Sequence, residues 1–257
     1  MKIAITGKGG VGKTTLASLL SHLYAAEGKR VIAVDADPDA NLASALGISR
    51  KDIDSIKPIA DMAELIEERT GAKRGSIGAF FRLNPKVDDL PEGIGYHLNG
   101  ITLLIMGKSK AAASGCYCPE NVLLRRLLKH LVIERREVVI VDMEAGIEHL
   151  TRGTAESVDA FIVVVEPGQR SLQTARTVKE MALGLGVKKV FVVANKVRGP
   201  EDINFITQNI GEQGLAGYIY FSEKIMEADM RGSPPSLYPP ETVNDVKRIK
   251  DEIEKKL

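Results

Sequence analysis

Nine consecutive residues carry the strongest chemistry in this chain: Gly7-Lys8-Gly9-Gly10-Val11-Gly12-Lys13-Thr14-Thr15. Within them lies G-x-x-x-x-G-K-T, the spacing of a loop that cradles phosphates. Glycines let successive backbone N–H groups curl around an anion, because no Cβ blocks the required backbone angles. Lys13 is long enough to reach the terminal phosphate oxygens of ATP or ADP. The Thr14 hydroxyl suits a Mg²⁺ ion bridging those oxygens. The flanks agree: Met1 to Thr6 (MKIAIT) reads as a buried strand, and Leu16 to Ala26 is apolar at helical spacing. A glycine-rich turn that binds nothing would not need a strand before it and a helix after it. The helix also points its positive end at the phosphates.

Carboxylates stand where such a loop needs them. The run Asp35-Ala36-Asp37-Pro38-Asp39-Ala40-Asn41 follows an apolar stretch and can hold Mg²⁺ waters or orient an attacking water. Asp39 and Asn41 also suit plain helix capping. A second stretch, Val138 to Val141, ends in Asp142-Met143-Glu144-Ala145-Gly146. There Asp142 would serve Mg²⁺ from behind its waters, and the Gly146 N–H would sense the γ-phosphate. His149 lies three residues further on, where a packed or surface histidine competes with a relay role. Asn195, before Lys196, offers a donor and an acceptor that match the adenine edge. Ser222-Glu223 is a weaker candidate for the far side of the base.

Both cysteines of the chain fall in Gly115-Cys116-Tyr117-Cys118-Pro119. Thiolates two residues apart can share one soft or borderline metal. No further ligand stands nearby at ligand spacing, so one chain offers two sulfurs, and a twofold axis through the metal would supply the other pair. Burial of both on a Gly- and Pro-bounded loop is the competing reading. A redox pair, usually spaced Cys-x-x-Cys, is another.

The elements that must position these residues recur regularly. Apolar runs at Lys2–Thr6, Arg30–Asp35, Ile101–Met106, Glu137–Asp142, Ala160–Glu166, Lys189–Asn195 and Leu215–Phe221 are mostly continuous in Val and Ile. Strands covered on both faces read that way. Helical stretches at Pro119–Glu134, Ser171–Gly184 and Asp202–Gly211 separate several of them. The expected fold is α/β: a doubly wound, mainly parallel sheet of about seven strands with helices on both faces, forming a single P-loop NTPase domain over residues 1–257. Ligands then bind at the carboxyl ends of the strands, where the candidate residues lie. Ile59–Thr70 reads as helix, and Arg74–Asn99 as a glycine- and proline-punctuated excursion. The net charge of +1 with 27% charged residues gives no global field for nucleic acid or membrane. No run reaches membrane-spanning length and nothing precedes the phosphate loop that reads as a signal peptide, so the expectation is a cytoplasmic protein. Val243, Val246, Ile249, Ile253 and Leu257 share a helix face with acidic residues among the lysines, which favours a helix covering the sheet over one lying on a membrane.

Lys8 sits too early in the loop to wrap back easily onto its own phosphate, and GKGGVGKTT resembles the deviant phosphate loop of the MinD, ParA, ArsA and nitrogenase iron protein class. That resemblance implies that Lys8 crosses a dimer interface to the partner's nucleotide, that Asp37 is the catalytic aspartate, and that Asn195 contacts the base. GCYCPENVLLR and DMEAGIEHLTRGTAESVD, on the GKGGVGKTT and DADPDAN frame, are similar to the CooC family of nickel-insertion ATPases, over most of the chain. The resemblance implies a homodimer that binds one Ni²⁺ or Zn²⁺ through Cys116 and Cys118 of both subunits. It implies nucleotide-controlled metal binding and carbon monoxide dehydrogenase as the client. Acetyl-CoA synthase as client, an iron–sulfur cluster carrier, a ParA-like partition ATPase and a MinD-like membrane protein stand as alternatives.

Overall fold

The computed structural model describes residues 1–37, 39–76, 80–107, 118–144, 152–211, 214–231 and 238–257. Pro38, Cys116, Gly146 and His149 therefore lie outside the described residues.

Among the described residues eight strands form one sheet, in the order β3-β4-β2-β5-β1-β6-β7-β8. They are β1 (Lys2–Gly7), β2 (Val31–Asp35), β3 (Tyr96–Leu98), β4 (Ile101–Ile105), β5 (Val138–Asp142), β6 (Ala160–Val165), β7 (Val190–Val197) and β8 (Leu215–Tyr220). Seven coincide with the apolar runs of the sequence. The eighth, β3, joins the expected seven or so: it is three residues long, antiparallel to β4 and at the sheet edge. Its residues are half-buried or exposed, so it lacked the apolar density that marked the others. All other pairings are parallel.

Helices cover both faces, which is why the central strands are apolar throughout. Side chains alternate across a strand, so Ile3 and Ile5 of β1 enter one core and Ala4 the other. The first core lies under α1 (Lys13–Ala26), α2 (Leu42–Ala45) and α11 (Pro240–Lys256). The second lies under α4 (Ala63–Thr70), α6 (Pro119–Ile133), α8 (Gln169–Gly184) and α9 (Pro200–Ile210). Val246, Ile249 and Ile253 of α11 are buried against β8 and α1, as the helix-on-sheet reading of that face expects. The Ile59–Thr70 stretch is a 3₁₀ turn, Ile59–Asp61, then α4, broken at Met62. The 74–99 excursion contains α5 (Leu90–Ile94) and β3. Two further short helices, α3 (Arg50–Ile53) and α7 (Arg152–Ala155), and α10 (Glu223–Arg231) complete the elements used below. Among the described residues no helix is long and apolar enough to cross a membrane.

The chain winds outward from β1 in both directions, with β5 inserted between β1 and β2. Crevices of doubly wound sheets open at the strand carboxyl ends beside such a reversal. The segments leaving β1 and β2 and the residues directly after β5 meet there.

Candidate nucleotide site

Residues 8–12 connect β1 to α1, and Gly12 caps α1 in the left-handed region at φ 96°. A Cβ on Gly12 would run into the Asn195 amide, and one on Gly7 into the Val164 carbonyl. Packing, as much as backbone freedom, thus demands glycine at both ends of the loop. The loop opens on a cavity of about 520 Å³ lined by Gly9, Gly10, Gly12, Lys13, Thr14 and Thr15 on one side. Asp37, Asn195 and the 219–222 segment line the other. Val11 points away from it into the core and is fully buried. Lys8 is half-buried, and among the described residues no acidic group pairs with its ammonium.

Parallel register sets the carboxylates in place. Asp35 and Asp142 are partners across β2 and β5, and Asp142 also pairs in register with Ile5 of β1. The Asp142 carboxylate is wholly buried, and among the described residues neither oxygen has a hydrogen-bond partner. Burial pushes its pKa up to about 6, opposed by the nearby Thr14 hydroxyl and Lys13 ammonium. A buried, unbonded carboxylate is costly to ionise. Its position beside Thr14 fits the outer shell of a hydrated Mg²⁺, whose waters would donate to both oxygens. Asp37 stands at the cavity wall with its carboxylate 4.0 Å from Lys13 Nζ, so the two share one corner of the site.

Asp35 does a different job. It is fully buried and accepts from the Leu42 N–H at 2.9 Å and the Asp37 N–H at 3.2 Å. Burial pushes its carboxyl up to about 7, the two N–H donors resist, and the Asp142 carboxylate adds to the rise. The capping role read for Asn41 is corrected here. Asn41 precedes α2 but makes no side-chain cap bond, and the first N–H of that helix, Leu42, donates instead to Asp35, seven residues back. Asp37 Oδ1 in turn accepts the Asp39 N–H at 2.9 Å. The Thr6 hydroxyl donates to the Glu144 carbonyl at 2.8 Å, tying the end of β1 to the segment after Asp142.

Asn195 reaches the site, but much of its amide is spent on the loop. Its Nδ2 donates to the Val11 carbonyl at 2.8 Å, and its Oδ1 accepts the Lys196 N–H at 2.8 Å. One N–H of the amide remains for a base. Ser222 lines the cavity together with Ile219, Tyr220, Phe221, Ile225, Met226, Tyr238 and Thr242, a largely apolar slot of the kind a purine fills. Glu223 lines a neighbouring groove instead. The Asp35 brace and the Lys196 contact with the loop were not legible in the sequence: the first needs the turn after β2 to fold back onto Asp35, the second an irregular strand.

Cys118 immediately precedes α6, with extended backbone and its carbonyl accepting the Val122 N–H at 3.1 Å. It is 2% exposed, so this half of the pair is buried in the single chain despite its Gly- and Pro-bounded setting. Glu120, also buried, accepts the Gly75 N–H at 3.2 Å and ties the 73–76 segment to the start of the same helix. Among the described residues no cluster of three or more metal-ligating side chains occurs.

The CobQ/CobB/MinD/ParA nucleotide binding domain matches residues 2–235. The chain is 49% identical to the carbon monoxide dehydrogenase accessory protein CooC of Rhodospirillum rubrum over 90% of this chain and 88% of that one. The chain belongs to the MinD/ParA nucleotide-binding family, in its CooC branch. With its P-loop intact and both carboxylates beside it, it is an ATPase of that family. An ATP-binding protein of Methanocaldococcus jannaschii is 48% identical over 92% of this chain and 91% of its own. A ParA family ATPase from Chlorobium tepidum shares the fold at a TM-score of 0.71 and 16% identity, over 98% of this chain and 97% of the other. The mainly parallel sheet flanked by helices is the MinD/ParA fold.

Proposed function

We propose that this MinD/ParA-family ATPase is a metal-insertion factor that loads nickel into carbon monoxide dehydrogenase, acting as a homodimer of single P-loop domains. The observation that carries this reading is the near-half identity to CooC across nine-tenths of the chain, together with Cys118 at the head of a helix that feeds the Asp142 strand. The cargo, Ni²⁺ or Zn²⁺, would be held by the thiolates of Cys116 and Cys118 from two copies, four sulfurs in all.

ATP hydrolysis follows from the chain's own groups. Loop amides from Gly9 to Thr15 and the α1 N-terminus receive the polyphosphate, with Lys13 on its terminal oxygens. Bound Mg²⁺, held by Thr14 and through water by Asp37 and Asp142, would neutralise charge on the β- and γ-phosphates. Asp37 orients the attacking water. Lys8 of a second copy adds positive charge where the transferring phosphoryl becomes more negative. Gly146 reports loss of the γ-phosphate to the segment that follows Asp142, and Asn195 lends its remaining N–H to the adenine.

Helices in this sheet run antiparallel to the strands they connect, so α6 begins on the same edge where β2 and β5 end. Cys118 and the phosphate loop therefore share one edge, joined through α6 and β5. Metal analysis and mass of the reduced protein, with and without ADP, test the reading. One Ni²⁺ or Zn²⁺ per dimer, lost in Cys118→Ser with ADP binding kept, is the expected result. A metal-free monomer under every nucleotide condition would remove it.

A further inference from the structure

Two carbonyls of the phosphate loop are held from outside it, and both grips come from β7. Asn195 Nδ2 donates to the Val11 carbonyl at 2.8 Å, and Lys196 Nζ donates to the Gly10 carbonyl at 2.6 Å. Neighbouring residues of a regular strand point to opposite faces of the sheet. Here the pairing of β7 with β8 slips between Ala194 and Val197, and Lys196 sits in the left-handed region at φ 57°. That conformation is uncommon for a lysine. It coincides with the Lys196 N–H donating to Asn195 Oδ1, which braces the pair. Bulges of this kind re-aim side chains, and this one brings both to bear on the same loop. Glu166, just beyond β6, stands 3.4 Å from the Lys196 ammonium and steers it over the loop.

The grip falls where the loop has least steric definition. Gly7 and Gly12 are locked by close neighbours, whereas Gly9 and Gly10 are exposed with nothing within 4 Å of where a Cβ would stand. A peptide flanked by a glycine turns over at little steric cost. Turned over, it would present a carbonyl dipole to the phosphates in place of an N–H. Because each peptide is planar and trans, an oxygen held towards β7 sends the N–H of the same unit the other way. The Val11 N–H then closes the turn onto the Lys8 carbonyl at 3.4 Å, and the Gly12 N–H faces away from Asn195.

We propose that Lys196 is a positioning residue of the ATP site: its ammonium, steered by Glu166, fixes the Gly10–Val11 peptide so that the loop is ordered before polyphosphate arrives. The proposal rests on this loop being the ATP site. Such preorganisation acts on binding more than on the chemical step, since bound phosphates order the loop themselves.

The test is ADP affinity by calorimetry and steady-state ATPase kinetics on the full chain. The proteins compared are wild type, Lys196→Met, Lys196→Asn, Lys196→Arg and Glu166→Gln. Asparagine tolerates the left-handed backbone, so Lys196→Asn removes the cation without straining the bulge. Lys196→Met and Lys196→Asn should bind ADP about tenfold more weakly and show a matching rise in KM for ATP, with kcat little changed. Lys196→Arg should recover most of the affinity, and Glu166→Gln should lose less than Lys196→Met. A Lys196→Asn protein that binds ADP like wild type, whatever its melting temperature, overturns the proposal. So does a fall in kcat with KM unchanged. Wild-type protein that binds no ADP would instead remove the ATP-site reading itself.

Discussion

Asp142 combines complete burial, two oxygens without a hydrogen-bond partner among the described residues and a like charge at Asp37, and that combination sets a measurable pH dependence. Its folded pKa, about 6, lies above the unfolded value of about 3.9. The native state therefore binds more protons than the unfolded chain between those values. Its contribution to stability is greatest below pH 4 and is lost as the pH rises through 6. Between pH 5 and 8 the nucleotide-free protein should lose about 1.4 kcal/mol through this group. Asp35, raised to about 7, acts in the same direction. Asp142→Asn should flatten the profile by about that amount in urea titrations at the two pH values; an unchanged slope would mean the carboxylate is not titrating there. Lys8 is judged by turnover. Lys8→Ala should lower ATP hydrolysis by about a thousandfold while ADP still binds, as expected for a cation acting across an interface on the transferring group. Normal hydrolysis in that variant would place Lys8 on the solvated surface.

At the scale of elements, α11 is the segment whose sequence leaves two fates open, on the sheet or on a membrane. Its apolar face is already committed: Val246, Ile249 and Ile253 are each at most 1% exposed and pack between α1 and β8. Ile249→Ala should cost about 2–4 kcal/mol in equilibrium unfolding, the usual penalty for removing a large side chain from a packed core. The intact protein should not float with anionic vesicles. Flotation would require α11 to leave the sheet and expose that face. α6 is the second element of interest. It opens at Cys118 and feeds β5, so a shift after Asp142 has a short rigid route to the cysteine loop. Continuity of this kind offers a route for coupling, which is read as an energy between the two sites.

At the scale of the whole molecule the proposed function is a statement about two copies. If nucleotide state changes metal affinity, metal must change nucleotide affinity by the same factor. Titrating Ni²⁺ into reduced protein with and without ADP, and ADP with and without Ni²⁺, should give matching ratios. Ratios of one in both directions would separate the cysteine loop from the nucleotide site. The same titrations monitored by mass should show dimer formation only where Cys118 is intact, if the metal bridges the copies.

The amino-acid sequence by itself determined that the sheet is mainly parallel with helices on both faces, and where the phosphate loop lies in the chain. Seven continuous Val/Ile runs can be buried only between two helical layers, and G-x-x-x-x-G-K-T between a strand and a helix has one well-matched use. It also placed Asp35 and Asp142 at strand ends, with Asp37 two residues beyond, because the hydrophobic run stops where the carboxylate begins. What it could not determine depends on which strands lie side by side. Register makes Asp35 a neighbour of Asp142, although 107 positions separate the two aspartates in the chain. Burial of Cys118 depends on what α6 packs against, and periodicity says nothing of that. The β7 irregularity that turns Asn195 and Lys196 onto the phosphate loop has no local signature in Ala-Asn-Lys-Val. Local patterns report which face of an element is buried; contacts between loops from distant strands arise only when tertiary packing brings their ends to one edge.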